Sequence, residues 1–143
     1  MEYVKESSFY KDAIQELKYP FGIYYLFDGF IIAEINEGVL YTWDYHGKIV
    51  AADIAELYEN DGRDIVYISN RIHSYAVKPS DWIKFYSNNY KLRAYAVVSN
   101  TKRGRLNMLI EKLFMKNRIQ SFDNLTDAIS WAKSLAPKVH KNS

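Results

Sequence analysis

The chain contains no cysteine, and only three prolines and six glycines occur among its 143 residues. Without cysteine, disulfides, thiol nucleophiles and zinc sites built on thiolates are excluded. No stretch approaches the roughly 18 consecutive apolar residues that a membrane-spanning helix requires. The opening residues 1–20 alternate charged with apolar side chains, unlike a signal peptide. We therefore expect a cytoplasmic protein with no membrane span.

The common motifs of catalysis are also missing. There is neither a glycine-rich phosphate loop nor the Gly-x-Ser-x-Gly turn that carries a hydrolase nucleophile. The histidines, His46, His73 and His140, do not match any metal-binding spacing, and Glu34 and Glu37 flank a predicted turn where we expect them to be solvated. We therefore expect no metal, no cofactor and no catalytic residues. An enzyme becomes a candidate only if a deep polar pocket joins His73 to an acid.

The composition is that of a globular chain with an uneven charge distribution. Apolar residues make up 48% and aromatic residues 16%, which is enough material for the core of one domain at this length. Residues 1–64 hold 13 acidic and 5 basic side chains, whereas residues 65–143 hold 4 acidic and 14 basic ones. If the halves separate in space, the faces could attract an anionic partner or form a homodimer; if they interleave, the charges cancel.

The first part of the chain shows helical spacing and then two apolar runs. The spacing predicts an N-terminal amphipathic helix in an extension over residues 1–20, followed by a single domain over 21–137 and a tail over 138–143. Two apolar runs separated at residues 36–38 predict a β-hairpin that turns at a glycine, with residues 22–27 as a further edge strand.

Helices alternate with strands in the rest of the chain. Buried strands are predicted over 64–69 and 93–99, with a short strand in "RIQSF" and helices between and after them. One helix is predicted to bury a stripe consisting of Leu106, Leu109, Ile110, Leu113 and Phe114. Asp123 or Asn124 caps the last helix. The fold class is therefore α/β, a mixed β-sheet opened by an antiparallel hairpin and continued by alternating strands and helices.

A family resemblance rests on the element order, on the position of "YIS" after the hairpin and on the ending "IQSFDNLTDAISWA". In these features the chain resembles the SpoIIAA-like or STAS-like family, which is named for anti-sigma-factor antagonists and the cytoplasmic tails of sulfate transporters. The resemblance covers residues 28–136. It implies a small cytoplasmic domain that binds protein partners or small ligands and is often regulated by phosphorylation. The regulatory serine of the family follows the third core strand, which makes Ser74 and Ser80 the candidates for phosphorylation here, in a longer connection.

The loop after the central strand is the candidate site. Its candidate binding residues are Asn70, Arg71, His73, Ser74 and Tyr75. The arginine suits a carboxylate or phosphate, the histidine is a titratable donor and the tyrosine is an aromatic wall. Open α/β sheets bind ligands at the carboxyl ends of their strands. Alternatively, the loop is only a packed connection, in which the arginine pairs with an acid and the polar residues satisfy the backbone.

These features predict a non-catalytic regulatory or binding domain that recognises a protein partner through the loop over 70–80. The alternative is a carrier or sensor of a small apolar or anionic ligand. The aromatic residues available for such a ligand are Tyr24, Tyr25, Phe27, Trp43, Trp82 and Phe85. The bases of "TKRGR" (101–105) could bind phosphate from nucleic acid or lipid. Because the net charge is only +2, we expect no nucleic-acid partner.

Overall fold

A six-stranded mixed sheet with the strand order β1-β2-β3-β5-β7-β8 organises the fold in the computed structural model, which describes residues 1–135. Strands β1, β2 and β3 are antiparallel, and β3, β5, β7 and β8 are parallel. The strands are β1 (Gln15–Tyr19), β2 (Gly22–Phe27), β3 (Phe30–Ile35), β4 (Leu40–Tyr41), β5 (Val66–Asn70), β6 (Ala76–Val77), β7 (Ala94–Val98) and β8 (Arg118–Phe122). The helices are α1 (Lys48–Tyr58), α2 (Asp81–Ser87), α3 (Lys102–Lys112) and α4 (Leu125–Leu135).

This architecture confirms the predicted fold class at the level of an α/β protein whose mixed sheet begins with an antiparallel hairpin. Within residues 1–135, every helix is too short or too polar to cross a lipid bilayer. The predicted tail over 138–143, and the end of the predicted domain at 136–137, lie outside the described residues.

The hairpin turns at a different place from the predicted one. Strands β2 and β3 are joined by Asp28 and Gly29, with Phe27 paired to Phe30 across the turn. An Asp-Gly pair is among the best two-residue hairpin loops, because its glycine accepts a positive φ, here +83°. The predicted turn at residues 36–38 was therefore wrong, since that segment leads out of β3 towards β4. Because β1 pairs with its other edge, β2 is an inner strand and not the predicted edge strand.

The predicted N-terminal helix was also wrong. Only the short segments Val4–Glu6 and Tyr10–Asp12 are helical, each as a single 3-10 turn. The next residues form β1, which pairs with β2 along its whole length. Pairing with β2 satisfies the main-chain polar groups of β1 with cross-strand hydrogen bonds. A helix of similar length without tertiary contacts would be only marginally stable. Residues 15–19 are thus part of the main sheet and not of a separate extension.

Helices cover both faces of the sheet, and alternate residues of β7 show how the faces divide. Ala94 and Ala96 pack against α4, whereas Tyr95 and Val97 pack on the face covered by α3. The N-terminal turns share the face of α4, and α1 shares the opposite face with α3. The last helix has the predicted cap, Asn124, and it buries Leu125, Ala128, Ile129 and Ala132.

Helix α3 faces the sheet with the opposite side from the one predicted. Its buried residues are Met108 and Glu111, and Gly104 lies so close to Ser99 that an added Cβ would be 1.9 Å from the serine Oγ. Four of the five residues predicted to be buried are instead exposed, namely Leu106 (58%), Leu109 (53%), Ile110 (41%) and Leu113 (79%). The fifth, Phe114, lies beyond the end of the helix and is half-buried. The close approach of the glycine and the buried glutamate together hold the helix in this rotation.

Candidate functional site

The loop that follows β5 is held in place by main-chain hydrogen bonds to the segment after β3. The Ala76 N–H donates to the Val39 carbonyl oxygen at 2.9 Å, and the Lys78 N–H donates to the Tyr41 carbonyl oxygen at 3.1 Å. These bonds flank the small parallel sheet formed by β4 and β6. The loop is therefore an ordered part of the fold, and its side chains alternate between the interior and the surface.

Arg71 is the first loop residue, and its side chain is buried in a polar cluster. Its guanidinium forms an ion pair with Glu111, and the side chains of these residues are only 6% and 1% exposed. The guanidinium also donates to Ser69 Oγ at 3.0 Å and to the Tyr95 hydroxyl at 2.8 Å, and it lies over the ring of Tyr75. The charge of Arg71 is thus neutralised inside the protein, as the packed-connection alternative describes.

Glu111 is the centre of this cluster, and the sequence interpretation missed it. Besides Arg71, Glu111 Oε1 accepts hydrogen bonds from the Tyr95 hydroxyl at 2.9 Å and from Trp82 Nε1 at 3.1 Å. Burial raises the pKa of Tyr95 well above its usual value, so that the phenol stays protonated and can donate. The sequence interpretation gave Glu111 no role, because the leucines beside it were expected to face the sheet.

The other loop candidates lie apart from the cluster. His73 Nε2 is hydrogen-bonded to the Tyr3 hydroxyl at 3.1 Å, which connects the loop to the N-terminal segment. Ser74 is exposed. Ser80 precedes α2 at its N-cap position, where its side chain makes no capping hydrogen bond. Phosphorylation of either serine stays a prediction.

Asn70 binds a carboxylate that was expected to be solvated. Its Nδ2 donates to Glu34 Oε2 at 2.9 Å and to the Glu2 carbonyl oxygen at 3.1 Å, while the Val4 N–H donates to the same Oε2 at 2.8 Å. Glu34 is only 7% exposed, so the prediction of a solvated side chain was wrong. Burial raises the pKa of Glu34, although the hydrogen bonds from Val4 and Asn70 oppose the shift. This carboxylate anchors the N-terminal segment to the sheet.

We expect Glu34 to make the protein less stable as the pH rises. A carboxyl whose pKa is raised by folding binds protons more tightly in the native state, so its contribution to the free energy of unfolding decreases from its ordinary pKa of 4.5 upwards through the raised pKa. Glu34→Gln retains an acceptor for Val4 and Asn70 and is expected to remove this decrease. Urea unfolding over a pH series measures it, with the exposed Glu37→Gln as control; equal pH profiles for Glu34→Gln and the native chain would contradict the assignment.

An apolar cavity of about 100 Å³ lies between α1, α2 and the sheet. The inward side chains of the loop, Tyr75 and Val77, form part of its wall. An engineered apolar cavity of about 150 Å³ binds benzene, so this one is of the right order for one small ring or a short alkyl group. Its walls are mainly aromatic and aliphatic. They include Ile31, Trp43, Val50, Ile54, Ile65, Tyr67, Tyr75, Val77, Trp82, Phe85, Tyr90 and Tyr95.

Two adjacent strands supply the tyrosines at the base of the cavity. Tyr67 of β5 and Tyr95 of β7 are paired in register, with ring centroids 5.4 Å apart. Trp82 of α2 packs edge-to-face against Tyr95 at 5.1 Å and against Phe85 at 5.3 Å. The sequence contained a signal for this pair, since each buried strand carries one tyrosine at the same step of its pattern, in "VYIS" and "AYAV".

The six aromatic residues expected to contact an apolar ligand are divided between the faces. Trp43, Trp82 and Phe85 line the cavity. Tyr25 and Phe27 belong to the core under α4, on the opposite face. Tyr24 lies behind the cavity, where its hydroxyl is hydrogen-bonded to that of Tyr67 at 2.8 Å. The structure thus brings half of the predicted set to one site.

The two buried carboxylates of the cavity, Glu111 and Asp81, are already hydrogen-bonded within the protein. At one end Glu111 has the partners described above, and at the other Asp81 Oδ2 accepts from the Trp43 N–H at 2.7 Å. Burial raises the pKa of Tyr67 well above its usual value, which keeps this wall neutral. The cavity therefore offers apolar surface and aromatic faces, with few polar groups that a ligand could bind without competition.

Comparisons with known proteins identify no relative of this chain. No family model matches it, and neither the curated proteins nor the solved structures yield a significant match. The candidate site is therefore defined by the geometry of the chain itself.

Proposed function

We propose that this chain is a non-catalytic binding domain that holds a small neutral apolar ligand, or the apolar end of a larger one, in the cavity between α1, α2 and the sheet. The observation that carries the proposal is the aromatic wall of that cavity, together with buried carboxylates that already have partners within the protein. Ligand sites are typically concave and mostly apolar, with few polar groups that fix the orientation of the ligand.

The buried ion pair favours a neutral ligand over an anionic one. An anion at Arg71 would have to displace Glu111, which would leave a buried carboxylate without its cation. A neutral ring or alkyl group would fill the cavity and leave the pair intact. Because Tyr75 and Val77 line the cavity from the loop, occupancy could also change the outer surface of that loop, as expected of a sensor.

A second candidate function is recognition of a protein partner through the loop over 70–80. It is supported by the alternation along β6, where Ser74, Ala76 and Lys78 are exposed between the inward residues Tyr75 and Val77. The sequential order of the parallel strands, each followed by a helix, supports our proposal of a SpoIIAA-like or STAS-like fold. In this function, Ser74 or Ser80 would be the phosphorylation switch.

The cavity can be tested by filling it. Ala51 of α1 lines the cavity, and Ala51→Leu should occupy its space. We expect small apolar probes such as toluene and indole to raise the melting temperature of the native chain, since a ligand present at about 100 times its Kd stabilises a protein by about 2.7 kcal/mol. The increase should be absent in Ala51→Leu. Differential scanning calorimetry measures it, and native mass spectrometry of the purified chain shows whether a ligand co-purifies.

The matched control is Ala52→Leu, which adds the same side chain to the exposed neighbouring residue. This variant should respond to the probes like the native chain. If no probe raises the melting temperature of the native chain and no ligand co-purifies, the cavity is not a ligand site. A protein partner that is captured by the native chain and by Ala51→Leu, but not by Lys78→Glu, would favour the second candidate.

A further inference from the structure

We propose that helix α3 docks on the surface of a membrane that contains anionic phospholipids. In this arrangement the helix lies flat, with its exposed leucines and isoleucine in the boundary between headgroups and acyl chains. The basic side chains of the helix and the following loop then contact the phosphates. The proposal is independent of the cavity, because it uses the side of α3 that points away from the sheet.

The outer face of α3, defined as Leu106, Leu109, Ile110 and the C-cap residue Leu113, has no partner within residues 1–135. All four side chains are between 41% and 79% exposed, whereas Met108 on the opposite side is buried. At about 100° per residue, the four fall within one third of the helix circumference. Single exposed leucines are common on protein surfaces, but a contiguous apolar patch marks an interaction site.

The segment that carries this outer face is strongly basic. Between residues 99 and 122 the only acid is Glu111, which is buried and paired with Arg71. The same segment carries six bases, and none of them forms an ion pair with another described residue. These bases are Lys102, Arg103, Arg105, Lys112, Lys116 and Arg118. An apolar stripe flanked by uncompensated bases is complementary to an anionic lipid surface.

The chemistry of the outer face favours lipid over protein or nucleic acid. Its four residues are all aliphatic, whereas the residues that dominate protein interfaces are tryptophan, tyrosine and arginine, with leucine under-represented. Nucleic acid would match the bases, but its phosphate backbone offers no surface in which four aliphatic side chains could be buried. A bilayer accommodates both features at once. A helix of 11 residues is about 16 Å long, so all four side chains can reach the same plane.

Co-sedimentation of the full chain with vesicles tests the proposal, using phosphatidylcholine alone and phosphatidylcholine with about one third phosphatidylserine. We expect binding to the anionic vesicles and release by salt. Leu109→Ser/Leu113→Ser should weaken binding by about tenfold or more, because it removes apolar area from the contact. Arg103→Gln/Arg105→Gln should weaken it by about fivefold for each base. All four residues are exposed, so the variants should keep the native urea midpoint.

The matched control is Ile49→Ser/Leu57→Ser, which removes two exposed apolar side chains, 51% and 47% exposed, from α1. This control should bind the anionic vesicles like the native chain. The proposal is overturned if the native chain binds neither type of vesicle, or both equally. It is also overturned if Leu109→Ser/Leu113→Ser abolishes a dimer or the capture of nucleic acid while vesicle binding is unchanged.

Discussion

Replacing Glu111 by alanine is expected to lower the free energy of unfolding by about 3–5 kcal/mol, the usual result of removing one partner of a buried ion pair. The loss is large because the Arg71 side chain is only 6% exposed and would keep only neutral hydrogen-bond partners. Its positive charge would then be buried without a counter-ion. Tyr95 and Trp82 also lose the carboxylate oxygen to which they donate. Urea unfolding monitored by circular dichroism measures the change.

Two further variants separate the lost ion pair from other effects. Lys112→Ala changes the exposed neighbour of Glu111 on the same helix and should alter the free energy of unfolding by less than about 0.5 kcal/mol. Arg71→Met/Glu111→Leu replaces both charges by apolar side chains and should recover most of the stability. A loss below about 1 kcal/mol in Glu111→Ala would mean that water reaches the guanidinium and that the ion pair is not buried in solution.

The same ion pair shows where reasoning from the sequence ends. Arg71 was recognised as a candidate that either binds an anion or pairs with an acid, but the acid is 40 residues away on a helix whose orientation was unknown. Periodicity locates an apolar stripe on α3 without saying which side of the helix meets the sheet. The packing of Gly104 and Glu111 decided the orientation against the hydrophobic pattern, and neither residue is apolar.

Patterns of adjacent residues were more informative for the fold. The central strands are apolar on both faces and therefore read as continuous runs, and α4 has both a capping residue and an uninterrupted apolar stripe. The errors in assigning strands, turns and helices fall near the N-terminus, where two signals competed. The Asp28-Gly29 turn joins the segment 22–27, which was interpreted as a further edge strand, to the run before residues 36–38, where the turn was expected. The helical spacing before it belongs partly to a strand that pairs with β2.

Gly62→Ala is the other substitution expected to have a large effect, lowering the free energy of unfolding by about 2–4 kcal/mol. Gly62 has a φ of +101°. A residue with a Cβ in this left-handed conformation destabilises the folded state by about 1–2 kcal/mol. In addition, an added Cβ would lie 2.0 Å from the main-chain oxygen of Lys91, so the backbone has to move. The movement would open the contact between the loop after α1 and the segment before β7. In this contact the Lys91 N–H donates to the main-chain carbonyl oxygen of Asp61 at 2.8 Å.

Gly38→Ala is the control that isolates the backbone strain from the collision. Gly38 also has a positive φ, +81°, but an added Cβ would meet no atom within 4 Å. This variant should therefore lose only about 1–2 kcal/mol. Because Gly62 and Lys91 both line the apolar cavity, we further expect Gly62→Ala to lose the stabilisation by toluene or indole, which Gly38→Ala should keep. Urea unfolding measures the loss of stability in both variants. Equal losses would show that the loop at Gly62 moves to accommodate the new methyl group at little cost. The cavity wall would then be flexible at this point.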